Sequence, residues 1–188
     1  MKTMSAMKLA VSAVTAAVYA ALTMLLAPIS YGEVQLRVSE VLCILPFFIP
    51  CTAPGLFVGC LIANLLSPIG ALDIVFGSLA TLLAALCTAA IGKTGRGWTQ
   101  CVLACLMPVL FNAVIVGAVI AVSSIPEPFS AEGAAGFGAA ALWVGLGELA
   151  VMLVLGLPLT RILPRQRFFR TICDRVNTQN TPRTAPDS

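Results

Sequence analysis

Long apolar runs, separated by short breaks that hold nearly all of the charge, organise this chain. Runs at about 8–28, 38–50, 54–67, 72–92, 98–123 and 138–162 each predict a helix, and four reach the roughly 20 residues that a tilted membrane crossing needs. None has the alternating wet face of a soluble helix: residues 97–126 carry no charged side chain, and residues 8–29 carry only Lys8. The second and third runs are short. Pro46, Pro50 and Pro54 interrupt an apolar stretch from Val41 to Leu66 that is too long for one crossing. A turn at about 50–54 divides it into two abbreviated helices. The alternative is one long kinked helix and five crossings in all.

Composition fixes the class. Hydrophobic residues make up 59% of the chain and charged residues 10%, with a mean hydropathy of +0.99; a soluble domain carries roughly 25% charge. The expectation is an all-α integral membrane protein, multi-pass in a bacterial cytoplasmic membrane. Basic residues favour the cytoplasmic side. With six crossings, Lys2, Lys8, Lys93, Arg96, Arg161, Arg165, Arg167, Arg170, Arg175 and Arg183 all fall on one face together with both termini, and only Arg37 falls opposite. Five crossings would scatter them. The outer loops then hold Glu33, Glu127 and Glu132, with Glu40 and Asp73 at helix starts. The first run is long for a signal-peptide core and is read as a retained span. Residues 1–165 form the six-span membrane domain, and residues 166–188 form a polar cytoplasmic tail expected to be disordered.

Catalysis has little foothold. There is no histidine, and the seven cysteines include no CxxC pair, so small apolar packing is the expected role of each thiol. Ile91-Gly92-Lys93-Thr94 imitates the end of a phosphate-binding loop, but Cys87 stands where its first glycine belongs and the preceding residues read as a membrane helix. No enzyme activity, metal or cofactor is expected in this chain, and no nucleic-acid partner.

Polar groups inside the apolar runs carry the functional signal, because an ionisable side chain in hydrocarbon costs about 2.5 to 3.5 kcal/mol and usually faces a cavity. Asn112 lies roughly 16 Å below the outer end of the fifth run and Glu148 roughly 15 Å below that of the sixth, at 1.5 Å per residue, so the two can meet. Asn64 and Asp73 flank the turn between the third and fourth runs. Pro108, one turn before Asn112, releases a backbone carbonyl that a cavity can use. Phe76, Phe111 and Trp143 are aromatic faces available to a flat ligand. Residues 30–40, SYGEVQLRVSE, read as a lid over a polar pocket, with Arg37 paired to Glu40 or Glu33; an ordinary helix start with Glu33 and Arg37 one turn apart is the alternative. Small residues recur at helical spacing: Ala13, Ala17 and Ala21 on one face of the first run, Ala16 and Ala20 beside them, and Gly55, Gly59 and Ala63 on the third. Internal packing is expected of the glycine strip.

YGEVQLRVSEVL, then Gly59-Cys60-Leu61-Ile62-Ala63-Asn64, then LDIVFGSLATLLA from Leu72 to Ala84, resemble the queuosine-precursor transporter family (QueT), over about residues 5–162. That family is counted among the substrate-binding S components of energy-coupling factor (ECF) transporters. The resemblance implies a six-helix bundle with both termini cytoplasmic and capture from outside of a queuine-like 7-deazaguanine. It also implies association with a transmembrane coupling subunit and two cytoplasmic ATPase subunits, which alone use ATP. An AxxxA face on the first helix of such proteins meets the coupling subunit. Here it maps onto Ala13 and Ala17, or onto Ala16 and Ala20. The expected substrate contacts are Glu148, Asn112, Arg37, Glu40, Asn64, Asp73, Phe76 and Trp143. An S component for another vitamin or nucleobase-like solute, and a self-sufficient secondary transporter coupled to protons through Glu148, are the alternatives.

Overall fold

A computed structural model describes residues 6–30, 36–124, 126 and 130–178. Among them every regular element is helical: α1 (Ala6–Leu25), α2 (Val38–Phe48), α3 (Pro50–Asn64), α4 (Asp73–Thr94), α5 (Trp98–Ser124), α6 (Ala131–Arg165) and α7 (Arg167–Thr178), with one further turn at Ala27–Ser30. Four helices, α1, α4, α5 and α6, are long and apolar enough to cross a membrane. The chain is inverted relative to a soluble protein. Leu25, Val154 and Val14 stand 79%, 69% and 63% exposed, whereas Glu40 and Asp73 are wholly buried. Apolar side chains face outward to lipid, and the polar ones face one another.

The break between α2 and α3 falls at Ile49, which is extended (φ −133°, ψ 83°), and the prolines do not form a loop. Pro50 forces the residue before it out of the helical region, then opens α3, where a missing N–H costs nothing. The chain reverses there. Thr81 Oγ1 donates to Glu40 Oε1 at 3.0 Å and lies 3.3 Å from Cys60 Sγ. A continuous helix would hold residues 40 and 60 about 30 Å apart. A single kinked helix is thereby excluded.

Glycine lets α3 seat directly on α1. A Cβ on Gly59 would stand 2.6 Å from the Ala16 carbonyl oxygen, and one on Gly55 would collide with that of Ser12. Only hydrogen side chains permit this backbone approach. Ala16 and Ala20 are buried in the same seam, while Ala13 and Ala17 remain exposed. Likewise a Cβ on Gly117 would come within 2.8 Å of Ala141 Cα, which fixes the crossing of α5 and α6.

Two expectations change at the end of the chain. The sixth helix begins at Ala131, seven residues before the apolar run, because the Ser130 hydroxyl accepts from Gly133 N–H at 3.1 Å and caps the first turn. Residues 167–178 are not a disordered tail but a helix: Phe169, Ile172, Cys173 and Val176 recur at helical spacing and join the main core. Phe169 packs edge-on against Phe48 at the α2 tip, with ring centroids 5.5 Å apart. Residues 179–188 lie outside the described residues.

Candidate functional site

Where the first four helices converge, a polar cluster is sealed from solvent. Glu40 enters it from the 3-10 turn that opens α2 and accepts from Tyr19 Oη of α1, from Thr81 Oγ1 at 3.0 Å and from Cys43 Sγ at 3.0 Å. Three donors from three different parts of the chain thus converge on one carboxyl group. Thr23 and Ser39 share a hydroxyl contact of 2.6 Å beside it.

Arg37, 3% exposed, comes from the residue before α2. Its Nη2 lies 3.7 Å from Asp73 Oδ2 and its Nη1 3.8 Å from Cys60 Sγ. Among the described residues Arg37 thus pairs with Asp73 and not, as expected, with Glu40, which is supplied by Tyr19, Thr81 and Cys43. Glu33 lies outside the described residues, as does most of the expected lid. Asn64 Nδ2 donates to the Asp73 carbonyl oxygen at 2.9 Å, tying the end of α3 to the start of α4. Gly77 lets both side chains lie against the α4 backbone: a Cβ there would sit 2.5 Å from Asp73 Oδ1 and 2.8 Å from Asn64 Nδ2.

From the other half of the bundle, Asn112 Nδ2 donates to Glu148 Oε1 at 3.1 Å. The carboxylate only accepts, so the amide nitrogen must face it. Both side chains are 2% exposed, on helices of which α6 packs against the turn that opens α2, so the second polar pair is buried in the part of the bundle next to the first. Asp73 and Asn112 each head a widened π turn, and a third runs from Met152 to Gly156, just beyond Glu148. Such turns break the regular ladder and re-aim the side chains at their mouths.

The cluster has an excess of acceptors. Asn64 Oδ1, both Asp73 carboxylate oxygens, Asn112 Oδ1 and Glu148 Oε2 are buried with no hydrogen-bond donor from the protein. Among the described residues, three carboxyl groups (Glu40, Asp73, Glu148) and one guanidinium, that of Arg37, are buried here. Buried acceptors left this way cost about 1 to 3 kcal/mol each until a donor arrives.

Six expected contacts are thus gathered: Arg37, Glu40, Asn64, Asp73, Asn112 and Glu148. Phe76 and Trp143 are not, being 44% and 53% exposed on outer surfaces; Phe76 lines an apolar groove with Val114 and Val122. Nor does the carbonyl freed by Pro108 open into a cavity, because Thr88 Oγ1 donates to the Ala104 oxygen at 3.3 Å. The sequence reading passed over Tyr19, Thr81, Cys43 and Cys60. A signal was present in α1, where Ser12, Thr15, Tyr19 and Thr23 form a buried polar stripe at helical spacing beside the alanines.

Comparison with known proteins gives two findings. The family model described as "QueT transporter" matches residues 9–165. The queuosine precursor transporter QueT of Lactococcus lactis subsp. cremoris (strain MG1363) is 42% identical over 73 residues, which cover 38% of this chain and 43% of that protein. The matched stretch is thus less than half of that relative's length. No solved structure matches.

Proposed function

We propose that this chain, which belongs to the QueT transporter family, is the solute-binding subunit of an ATP-driven ECF importer in the bacterial cytoplasmic membrane, and that it captures a queuine-like 7-deazaguanine. The observation that carries the proposal is the set of five buried acceptor atoms lacking a protein donor. A 7-deazaguanine is rich in donors: a ring N–H and an exocyclic amine side by side, and a pyrrole N–H on the opposite edge. Glu148 Oε2 suits the paired donors, and the second N–H of the Asn112 amide suits the ring carbonyl. Asp73 and Asn64 Oδ1, across the cluster, suit a side-chain amine.

Charge narrows the solute further. Among the described residues three carboxyl groups share the site with one cation, Arg37, so a ligand that brings a positive charge can draw a counter-charge from them, where a neutral ligand cannot. A 7-aminomethyl group, or the secondary amine of queuine, carries that charge; a 7-cyano group does not.

Six crossings with both termini inside are part of the same proposal. The reversal at Ile49 supports them, as does the convergence of Arg96, Arg161, Arg165 and Arg170 on hollows beside the α2 tip. Ala13 and Ala17, exposed on α1, offer the coupling subunit a close-packing face, and the two ATPases bind through that subunit. Ala16 and Ala20 are spent inside the bundle.

The test is thermal stabilisation of the purified chain by a panel of 7-deazaguanines and vitamins, in which a ligand at 100 times its dissociation constant adds about 2.7 kcal/mol. Stabilisation by the aminomethyl compound well above that by the cyano compound is expected. No response to any deazaguanine, with a response to another vitamin, would move the chain to another solute. Uptake by the chain alone, collapsing with the proton gradient, would favour a secondary transporter.

A further inference from the structure

Two hollows lie side by side at the basic end of the bundle, and nothing in solute capture uses them. The first, about 280 Å³, has Phe48 and Pro164 among its apolar walls and is ringed by Arg96, Arg161 and Arg165. The second, about 320 Å³, shares Phe48, Arg96 and Pro164 with the first and adds Arg170 from α7. Four guanidinium groups thus face two adjoining spaces whose lining includes a single carboxylate, Asp174.

Two of the arginines are held by aromatic rings. The Arg161 guanidinium stands 5.0 Å from the Trp98 ring centroid, and that of Arg96 stands 5.3 Å from the centroid of Phe48. Stacking occupies the flat face of a guanidinium and leaves its N–H fork for planar, bidentate recognition of phosphate. Trp98 is itself 56% exposed at the start of a long apolar helix, the usual depth of tryptophan at a lipid headgroup layer. Ile162, 48% exposed, continues the outward apolar surface of α6 next to the arginine ring, where acyl chains would run.

We propose that the paired hollows bind an anion carrying two phosphate diesters, and that the occupant is the headgroup of a membrane phospholipid of the cardiolipin type. Each hollow receives one phosphate, and Arg96, common to both, bridges them. The apolar walls and the adjoining lipid-facing surface favour a lipid over a soluble diphosphate of the same charge. Headgroup binding would also pin α7 against the α2 tip through Arg170 and Phe169.

The experiment uses the full chain purified in detergent, with native mass spectrometry and thermal unfolding read against added cardiolipin, phosphatidylglycerol, phosphatidylcholine and inorganic pyrophosphate. One cardiolipin is expected to be retained per chain, ahead of phosphatidylglycerol, with no response to phosphatidylcholine. The variant Arg165→Gln with Arg170→Gln removes one exposed arginine from each hollow without touching the stacked pair. Arg167→Gln with Arg175→Gln removes equal charge from α7 residues that line neither hollow. The first pair should weaken cardiolipin binding about tenfold more than the second, since generic surface attraction is common to both. Equal loss in the two pairs would overturn the proposal. So would displacement of cardiolipin by millimolar pyrophosphate, which would assign the hollows to a soluble diphosphate.

Discussion

Replacing Glu148 by Gln is the sharpest perturbation the site allows. The two side chains have nearly the same shape, so the bundle loses no packing and gains no cavity. One oxygen of Glu148 is committed to the Asn112 amide at 3.1 Å, and the other is buried with no protein donor. In the variant, the side-chain oxygen keeps Asn112, because the alternative would set two amide nitrogens against each other. The new NH2 must then occupy the position of Oε2 and point at the ligand's donors. One charge-assisted acceptor becomes a donor facing a donor, at a cost of about 2 to 5 kcal/mol, or roughly thirtyfold to several thousandfold in dissociation constant. Titration calorimetry of the aminomethyl-deazaguanine against both proteins reads this directly. An analogue lacking the exocyclic amine supplies the control. It should bind the parent protein more weakly and lose less in Glu148→Gln than the full ligand does, since one of the two donors facing that side chain is already gone. Unchanged affinity for the full ligand in a folded variant would refute the assignment and move the guanine edge to Asp73.

Three further outcomes are expected. Ala13→Trp or Ala17→Trp should abolish copurification with the coupling subunit and uptake while leaving solute binding by the isolated chain intact; equal loss of binding would mean that this face packs internally. Gly59→Val should lower thermal stability by about 1 to 3 kcal/mol through overpacking, whereas Gly138→Val, where an added Cβ meets nothing within 4 Å, should not, as parallel melting curves would reveal. With Cys51 and Cys87 replaced, an impermeant thiol reagent should label a cysteine placed at Glu132 from outside and one at Lys93 or Arg165 only after permeabilisation, and outside labelling at Arg165 would sink the six-crossing arrangement.

The helices were legible because lipid imposes a simple rule: any spanning segment must be apolar along its whole length and must satisfy its own backbone. Five of the six runs read from the sequence differ from the observed helices by only a few residues. What stayed hidden followed weaker signals. The apolar run was read from residue 138, yet the Ser130 hydroxyl caps a helix that begins seven residues earlier. α7 was concealed by its charge, since Arg167, Arg170, Asp174 and Arg175 lower its mean hydropathy while Phe169, Ile172, Cys173 and Val176 keep a continuous inner stripe. Periodicity carried that helix, and composition obscured it.

Within the site, depth along a helix proved readable and direction around it did not. Counting residues put Asn112 and Glu148 at one level, and they meet. The same count says nothing about which way Phe76 or Trp143 points, and both face outward. For Phe76 a π turn is the physical reason, since the extra residue shifts its face and the regular 3.6-residue period fails at Asp73, as it does at Asn112 and Met152; Trp143 stands in the regular part of α6, five residues before Glu148 and so on a different face. Charge pairing fails to read from sequence for a different cause. Arg37 has Glu40 as a near neighbour along the chain, but the reversal at Ile49 returns α3 to its side and the turn after Asn64 delivers Asp73 to its guanidinium. Glu40 is left to Tyr19, Thr81 and Cys43, which donate to it from α1, α4 and its own turn. That division of partners leaves Asn64 Oδ1, both Asp73 carboxyl oxygens, Asn112 Oδ1 and Glu148 Oε2 without a hydrogen-bond donor, which is the feature the proposed donor-rich solute would answer.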